Sequence, residues 1–339
     1  MSDGLAPGAD AASPSLPARA VDIPEGCDGM RLDRFLAARF PDRTRSWFAR
    51  GLRAGQVTDA SGRVLRAASM VRAGQTLHIG LPGIAASTPP PPFPPVLYED
   101  ERLAVVDKPA GLLTHPTGTN HAWALVSLAR TRWPTREVHL AHRLDRDTSG
   151  VQLLAFDADA NRHLKTAIQQ GAHKEYEALA RGIISWDHQR IDAPIGPADG
   201  PIRIQMACRP DGLSACTEVT VLARGASSTH IRCVLHTGRT HQIRVHLASV
   251  GHALVGDRMY GVSPEVFLRA WEQGVDAAVI AAAGAPRQAL HARRLRISHP
   301  DGGHLEVEAP LPDALRRWFE TPAVLPFDDG LWDGVVETE

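Results

Sequence analysis

The run PPPPFPP at residues 89–95 cuts the chain in two. A proline has no N–H to donate and a fixed φ, so seven residues with six prolines can join neither a helix interior nor a central strand. Together with the Gly/Ala/Ser-rich stretch before it, residues 83–95 read as an extended, semi-rigid spacer. A small module must then fold from the residues before the spacer and a large one from those after it. With 339 residues, 43% of them hydrophobic, the chain has enough apolar material for both cores. Residues 1–20, rich in Ala, Pro, Ser and Gly, have little to bury and read as a disordered leader. Residues 321–339 carry Asp328, Asp329, Asp333, Glu337 and Glu339 and read as a solvated acidic tail.

The first module, residues 21–82, shows apolar residues at helical spacing, first Leu32, Phe35, Leu36 and Phe40, then Trp47, Phe48 and Leu52, with Pro41 and Asp42 between the two helices. A β-like stretch from Gln56 to Leu65, turning at Ser61-Gly62, and a second from Gln75 to Ile79 follow. Between Gly29 and Gly80 ten arginines face three aspartates, an excess of seven positive charges in a chain whose net charge is −1. That density of guanidinium groups, Arg31, Arg34, Arg45 and Arg50 among them, suits phosphate contacts, whereas a solvated helical surface is the plainer alternative. The pattern RLDRFLAARFPDRTRSWFARGLRAGQV (residues 31–57) resembles the S4-like RNA-binding module that precedes many pseudouridine synthase domains. Thr58-Asp59-Ala60-Ser61-Gly62 stands where that module has a shorter Val-Asn-Gly turn.

Beyond the spacer, residues 96–320 are strand-rich. Val96–Tyr98, Leu103–Val106, Val151–Phe156, Tyr176–Ala180, Thr217–Ala223, Ile231–Leu235 and the hairpin Leu290–Ile297 with Leu305–Val307 read as strands. Helices are predicted near His121–Arg130, Ala158–Gln170 with Asp157 as its cap, Thr240–Val250 and Asp313–Phe319, and a helical insertion at 262–287. Many strands with few helices between them specify an α+β domain on a mixed, mainly antiparallel sheet.

Chemistry concentrates in HLAHRLDRDTSGVQLLAF (residues 139–156), where His142, Arg143, Asp145, Arg146 and Asp147 immediately precede an apolar strand. A charged loop on a rigid strand suits a site, although such a run is more often a surface ion-pair network. The segment LHTGRTHQIRVHLA (residues 235–248) puts Arg239 and Arg244 at a strand-to-helix junction. An arginine beside Asp145 would hold its carboxyl ionised, as a nucleophile requires.

HRLDRDTSGVQLLA resembles the signature of RluA-type pseudouridine synthases nearly residue for residue. VVDKPAGLLTHP (105–116), KEYEALARG (174–182), the block from Leu235 to Gly261 and RQALHARRL (287–295) follow the family's order. The resemblance implies an RNA isomerase of the pseudouridine synthase fold. It makes Asp145 the catalytic aspartate, Tyr176 the ring that stacks on the flipped uracil and Arg244 the partner of Asp145. Arg143 would fill the space left by the extruded nucleotide. His142, Arg146, Arg239 and Lys108 are further candidates for RNA contact. Asp145 could attack C1′ or remove the C2′ proton, and both routes stay open. The resemblance implies no cofactor and no metal, and a substrate in large-subunit ribosomal RNA. Transfer RNA, or a non-catalytic role in RNA binding or ribosome assembly, is the alternative. A monomer is expected.

Other classes fit less well. His236, His241 and His246 are five apart, which matches no metal-binding helical pair, and the neighbouring arginines would repel a cation. A hydrolase built on His142, Asp145 and Ser149 lacks the G-x-S-x-G elbow, so Thr148-Ser149-Gly150 reads as a turn. Four cysteines without a C-x-x-C pair suggest reduced thiols. With no apolar run of membrane length and no signal peptide pattern, a cytoplasmic protein is expected.

Overall fold

The computed structural model describes residues 19–40, 45–81, 90–116 and 124–320. Residues 19–81 belong to one compact unit, and residues 91–115 with 124–320 to another. The predicted leader up to residue 18, Pro41 and Asp42, residues 83–89 of the spacer, His121–Trp123 of the predicted helix and the acidic tail lie outside the described residues.

In the first unit, β1 (Arg19–Asp22), β2 (Val57–Asp59) and β3 (Thr76–Ile79) form an antiparallel sheet in the order β1-β3-β2. Helices α1 (Leu32–Arg39) and α2 (Arg45–Arg53) bury Leu32, Phe35, Leu36, Phe48 and Leu52 in one cluster with Val57, Leu77 and Ile79. Asp33 is buried, and it accepts from Arg31 Nε at 3.1 Å and from Arg45 at 2.6 Å. Those arginines hold its carboxyl down to about 2. The turn after β2 is closed by Asp59, whose Oδ1 accepts from Ser61 N, Ser61 Oγ and Arg63 N. β1 overturns the reading of residues 19 and 20 as leader. Its four residues pair with β3 from Arg19 opposite Ile79 to Asp22 opposite Thr76.

The second unit is built on a large sheet in the order β4-β5-β7-β14-β8-β13-β12-β9, with β6 beside β7 and β15 beside β14. Its strands are β4 (Val96–Glu99), β5 (Leu103–Lys108), β6 (His139–Leu140), β7 (Ser149–Ala155), β8 (His173–Arg181), β9 (His188–Asp192), β12 (Cys216–Arg224), β13 (Ser228–Leu235), β14 (Leu290–Ser298) and β15 (His304–Glu308). Among the described residues its pairings are antiparallel except β14 with β7, where His291 faces Ser149 and Ala292 faces Gly150. The α+β, mainly antiparallel architecture is therefore as expected. A separate hairpin pairs β10 (Ile195–Pro197) with β11 (Met206–Cys208).

All seven residues of β7 are buried, as a strand covered on both faces requires. Gly150 makes the parallel contact possible. At φ 109°, a Cβ there would lie 2.2 Å from Ala292 O. Helix α4 (Ala158–Gln170) begins where Asp157 accepts from Ala160 N at 2.7 Å, and it packs Ala160 and Leu164 against Leu103, Val151, Leu153 and Leu295. Helix α5 (Gln242–Ser249) packs Ile243 and Leu247 against Val219, Ile231 and Cys233. α3 (Leu125–Arg132) and α8 (Asp313–Glu320) lie close to their predicted spans. The 262–287 segment contains two helices, α6 (Pro264–Gln273) and α7 (Ala277–Ala283). No described helix is long and apolar enough to cross a membrane.

Candidate active site

The loop between β6 and β7 carries Asp145, and its backbone is fixed from several sides. Gln152, buried in β7, donates to His142 O at 2.9 Å and accepts from Leu144 N at 3.2 Å. Thr114 Oγ1 donates to Leu144 O at 2.8 Å. Gly111 N and the ammonium of Lys108 both donate to Arg146 O. Asp147 pairs with Arg258, and Gln288 Nε2 donates to Thr148 Oγ1 at 2.7 Å. A catalytic group gains from such support because small displacements of a reacting atom are costly.

Asp145 meets Arg244 at the loop's inner side. Arg244 is buried on α5, and its NH1 donates to Asp145 Oδ2 at 2.8 Å. The same guanidinium donates from Nε to Asp257 Oδ2 at 2.7 Å and from NH2 to Asp257 Oδ1 at 3.0 Å. Asp257, fully buried, also accepts from Met259 N and Tyr260 N. One planar cation is thus clamped bidentately by one carboxylate and offers its remaining edge to another. Burial alone would raise the Asp145 carboxyl. The charge of Arg244, with the hydrogen bonds from Arg244 and Gln288, outweighs it and holds the group below the ordinary carboxylate value. The Asp145 side chain is 31% exposed, so the anion is open at the surface and anchored beneath it.

Helix α5 starts abruptly at Gln242, two residues later than the spacing predicts. His241 sits at φ 57°, the only non-glycine residue with positive φ among those described. No side chain caps the first turn of α5, and Gln242 instead ties the preceding turn to β12. Its Oε1 accepts from Arg239 N and Thr237 Oγ1, and its Nε2 donates to Cys216 O and Thr217 Oγ1. His241 Nδ1 lies 2.8 Å from Tyr260 Oη, and the Arg244 guanidinium lies 5.0 Å from the centre of the Tyr260 ring.

Tyr176 is on β8, opposite Cys233 of β13 and Ala292 of β14. Burial, and then the nearby Asp145 charge, push its phenol well above the ordinary value, so it stays neutral. Asp145 and Arg244, far apart in sequence, are thus in direct contact, and Tyr176 lies within reach of the Asp145 charge.

The other candidates are either exposed or turned inward. Arg143, Arg146 and Arg239 are exposed, Arg146 donating to Gly111 O and Arg239 to Ser214 O. In the first unit Arg31, Arg34, Arg45 and Arg50 are exposed, with Arg31 and Arg45 turned onto Asp33. Lys108 corrects its reading as an RNA contact: it is fully buried, and its ammonium donates to Pro109 O, Leu112 O and Arg146 O, which leaves a phosphate no access. The His142 ring is likewise turned inward, with Nε2 accepting from Leu153 N at 3.1 Å. Burial, reinforced by the Lys174 charge, lowers it to about 4. Its ring serves the strand backbone rather than RNA.

The turn expected at Thr148-Ser149-Gly150 falls at Arg146-Asp147, and Ser149 and Gly150 open β7. Ser149 Oγ lies 2.9 Å from His291 Nδ1, but both residues are buried within the sheet, out of a substrate's reach. His236 approaches Glu218, His241 approaches Tyr260, and His246 bonds Thr217 Oγ1 and Ala193 O, so the three histidines do not converge.

A family model described as RNA pseudouridylate synthase matches residues 102–249, the span that holds Asp145, Tyr176 and Arg244. The ribosomal large subunit pseudouridine synthase D of Pseudomonas aeruginosa is 36% identical over 310 residues, covering 87% of this chain and 92% of that one. The chain belongs to the RNA pseudouridylate synthase family. It is an isomerase acting on RNA. The synthase of the same description from Xanthomonas campestris is 35% identical over 88% of this chain and 91% of its own. Among solved structures, human RNA pseudouridylate synthase domain containing 1 matches with a TM-score of 0.51 and 27% identity, over 65% of this chain and 84% of that one.

Three residues of this synthase's site escaped the sequence reading: Asp257, Tyr260 and Gln288. Asp257 and Tyr260 stand in the quoted block ending at Gly261 and Gln288 in RQALHARRL, so their position in matched segments was the available signal. Nothing in their spacing revealed that they gather around Arg244 and Asp145.

Proposed function

We propose that the chain converts selected uridines of large-subunit ribosomal RNA to pseudouridine, with Asp145 as the catalytic carboxylate. One observation carries the reading: an ionised carboxylate, partly open to the surface, is held at 2.8 Å by a buried guanidinium that a second carboxylate clamps. The names of the relatives favour ribosomal over transfer RNA.

The reaction is a rearrangement. The N1–C1′ bond breaks, the uracil turns in the pocket, and C1′ joins C5. The C5 proton leaves and N1 gains one, so atoms and electrons balance without an oxidant or an energy source. A base within a stacked RNA must first be extruded, at a cost of a few kcal/mol that stacking and hydrogen bonds offset. Tyr176, neutral and within reach of the Asp145 charge, supplies a ring for that stack, and Arg143, exposed on the Asp145 loop, fills the gap left in the RNA. Asp145 then acts on the ribose, at C1′ as a nucleophile or at C2′ as a base. Arg244 keeps it anionic for either.

In this reading the first unit is an S4-like RNA-binding module. Its exposed Arg34 and Arg50 contact phosphates, while Arg31 and Arg45 also brace Asp33. The enzyme works as a monomer in the cytoplasm. Pseudouridine mapping across total RNA, with and without the gene, tests the substrate. Loss of signal at positions in large-subunit ribosomal RNA is expected. Loss confined to transfer RNA, or no loss at all, would contradict it.

A further inference from the structure

We infer that His241 binds the substrate: its Nε2–H donates to the 2′-hydroxyl of the flipped uridine, and that hydroxyl in turn donates to Asp145. The inference rests on Asp145 being the catalytic carboxylate.

Three observations define the ring. First, its tautomer is fixed from behind. Tyr260 Oη accepts from Met206 N at 3.0 Å, so its own hydrogen is available for His241 Nδ1 at 2.8 Å, and the proton of a neutral ring then sits on Nε2. Second, Nε2 points at the catalytic carboxylate without bonding it, 3.9 Å from Asp145 Oδ2 and about 1 Å beyond an N–H···O bond. Third, the backbone holds His241 in the left-handed region, a strained conformation that tends to persist where function uses the geometry. The groups facing the ring support a neutral form. Burial and then the Arg244 charge lower its pKa, against the opposing pull of Asp145 and Asp257.

The chemistry of the gap selects the substrate atom. An atom lodged between an N–H donor and a carboxylate must accept from one and donate to the other. Near C1′ of a uridine, the ring oxygen and uracil O2 only accept, and would turn lone pairs toward the anion. The 2′-hydroxyl accepts and donates. Bonded this way, it sets the ribose against Asp145 by two contacts.

The test is a cycle between protein and RNA. The RNA is a synthetic oligonucleotide spanning a uridine located by pseudouridine mapping, with either uridine or 2′-deoxyuridine at that position. H241N keeps a residue tolerant of positive φ but is too short to reach the hydroxyl. On the uridine RNA, H241N should weaken binding, or slow single-turnover conversion, by about five- to tenfold, the worth of one hydrogen bond. On the 2′-deoxyuridine RNA, H241N and the unaltered enzyme should bind alike. Equal losses on both RNAs, or on neither, would overturn the inference. Y260F, which leaves residue 241 in place and frees its tautomer, should show the same selective loss on the uridine RNA, and an equal loss on both RNAs would count against it. D145N separates the two assignments. If D145N is inactive while H241N shows no selective loss, only the role of His241 fails. If D145N converts uridine normally, the role of Asp145 fails.

Discussion

At the scale of single residues, the site is an arrangement of three charges in which the middle one is shared. Arg244 has one planar fork and two carboxylate partners, and it can orient NH1 toward Asp145 because Nε and NH2 are already engaged by Asp257. Removing Asp257 would leave a buried cation half paired. D257A should therefore destabilise the protein by about 3–5 kcal/mol, read from the urea unfolding midpoint. An unchanged midpoint would mean that the clamp contributes nothing. Asp145 and Arg244 were legible through the resemblance, because both stand in motifs that follow the family's order, whereas the charged run alone reads more often as a surface ion-pair network. Asp257 was not, because a lone aspartate after a glycine reads as a turn until the fold carries it under α5. Lys108 was legible as a special residue but misjudged in role, since a sequence cannot show that three carbonyls enclose an ammonium.

At the scale of elements, the parallel junction of β7 and β14 fixes where the Asp145 loop leaves the sheet. G150A would drive a methyl into Ala292 O, and a loss of at least about 2 kcal/mol is expected by chemical denaturation. Wild-type stability in G150A would show that the strands part easily there. The same junction contains the Ser149–His291 pair, whose ring burial lowers to about 4. Because the folded value lies below the unfolded one near 6.5, the contribution of the neutral ring is complete above that pH and is lost as pH falls toward 4. At pH 5 the loss amounts to about 2 kcal/mol. Unfolding measured at pH 7.5 and pH 5 should show a smaller pH-dependent loss in H291Q than in the unaltered protein, and an equal loss would refute the assignment. The long strands β5, β7, β8, β12, β13 and β14 were readable from apolar runs and alternation. The strands β9, β10 and β11 were not, since β9 reads His-Gln-Arg-Ile-Asp and β10 and β11 are three residues each with no alternation to mark them. Tertiary pairing forms such segments, with little help from propensity.

At the scale of the whole molecule, the chain divides its charge as it divides its folds, with a strongly basic first unit in a protein of net charge −1. If Arg34 and Arg50 contact phosphates, as proposed, R34A/R50A in the full-length protein should weaken RNA binding at low salt. It should also flatten the dependence of log affinity on log salt by roughly one to two. An unaltered slope would remove that unit from the RNA interface. The division into two units and the basic character of the first were readable because proline content and charge are local properties that need no fold.

The anion at residue 145 is the centre of the site. Arg244 holds its carboxyl below the ordinary value, so the unaltered enzyme's rate should not fall with pH on account of this group until the solution is more acidic than about pH 4. D145N keeps the size of the side chain and removes the charge. The direct measurement is single-turnover conversion of a uridine-containing RNA by purified D145N, with RNA affinity measured in parallel. Conversion should fall below detection while affinity stays within about threefold of the unaltered enzyme. Conversion at the unaltered rate would contradict the account.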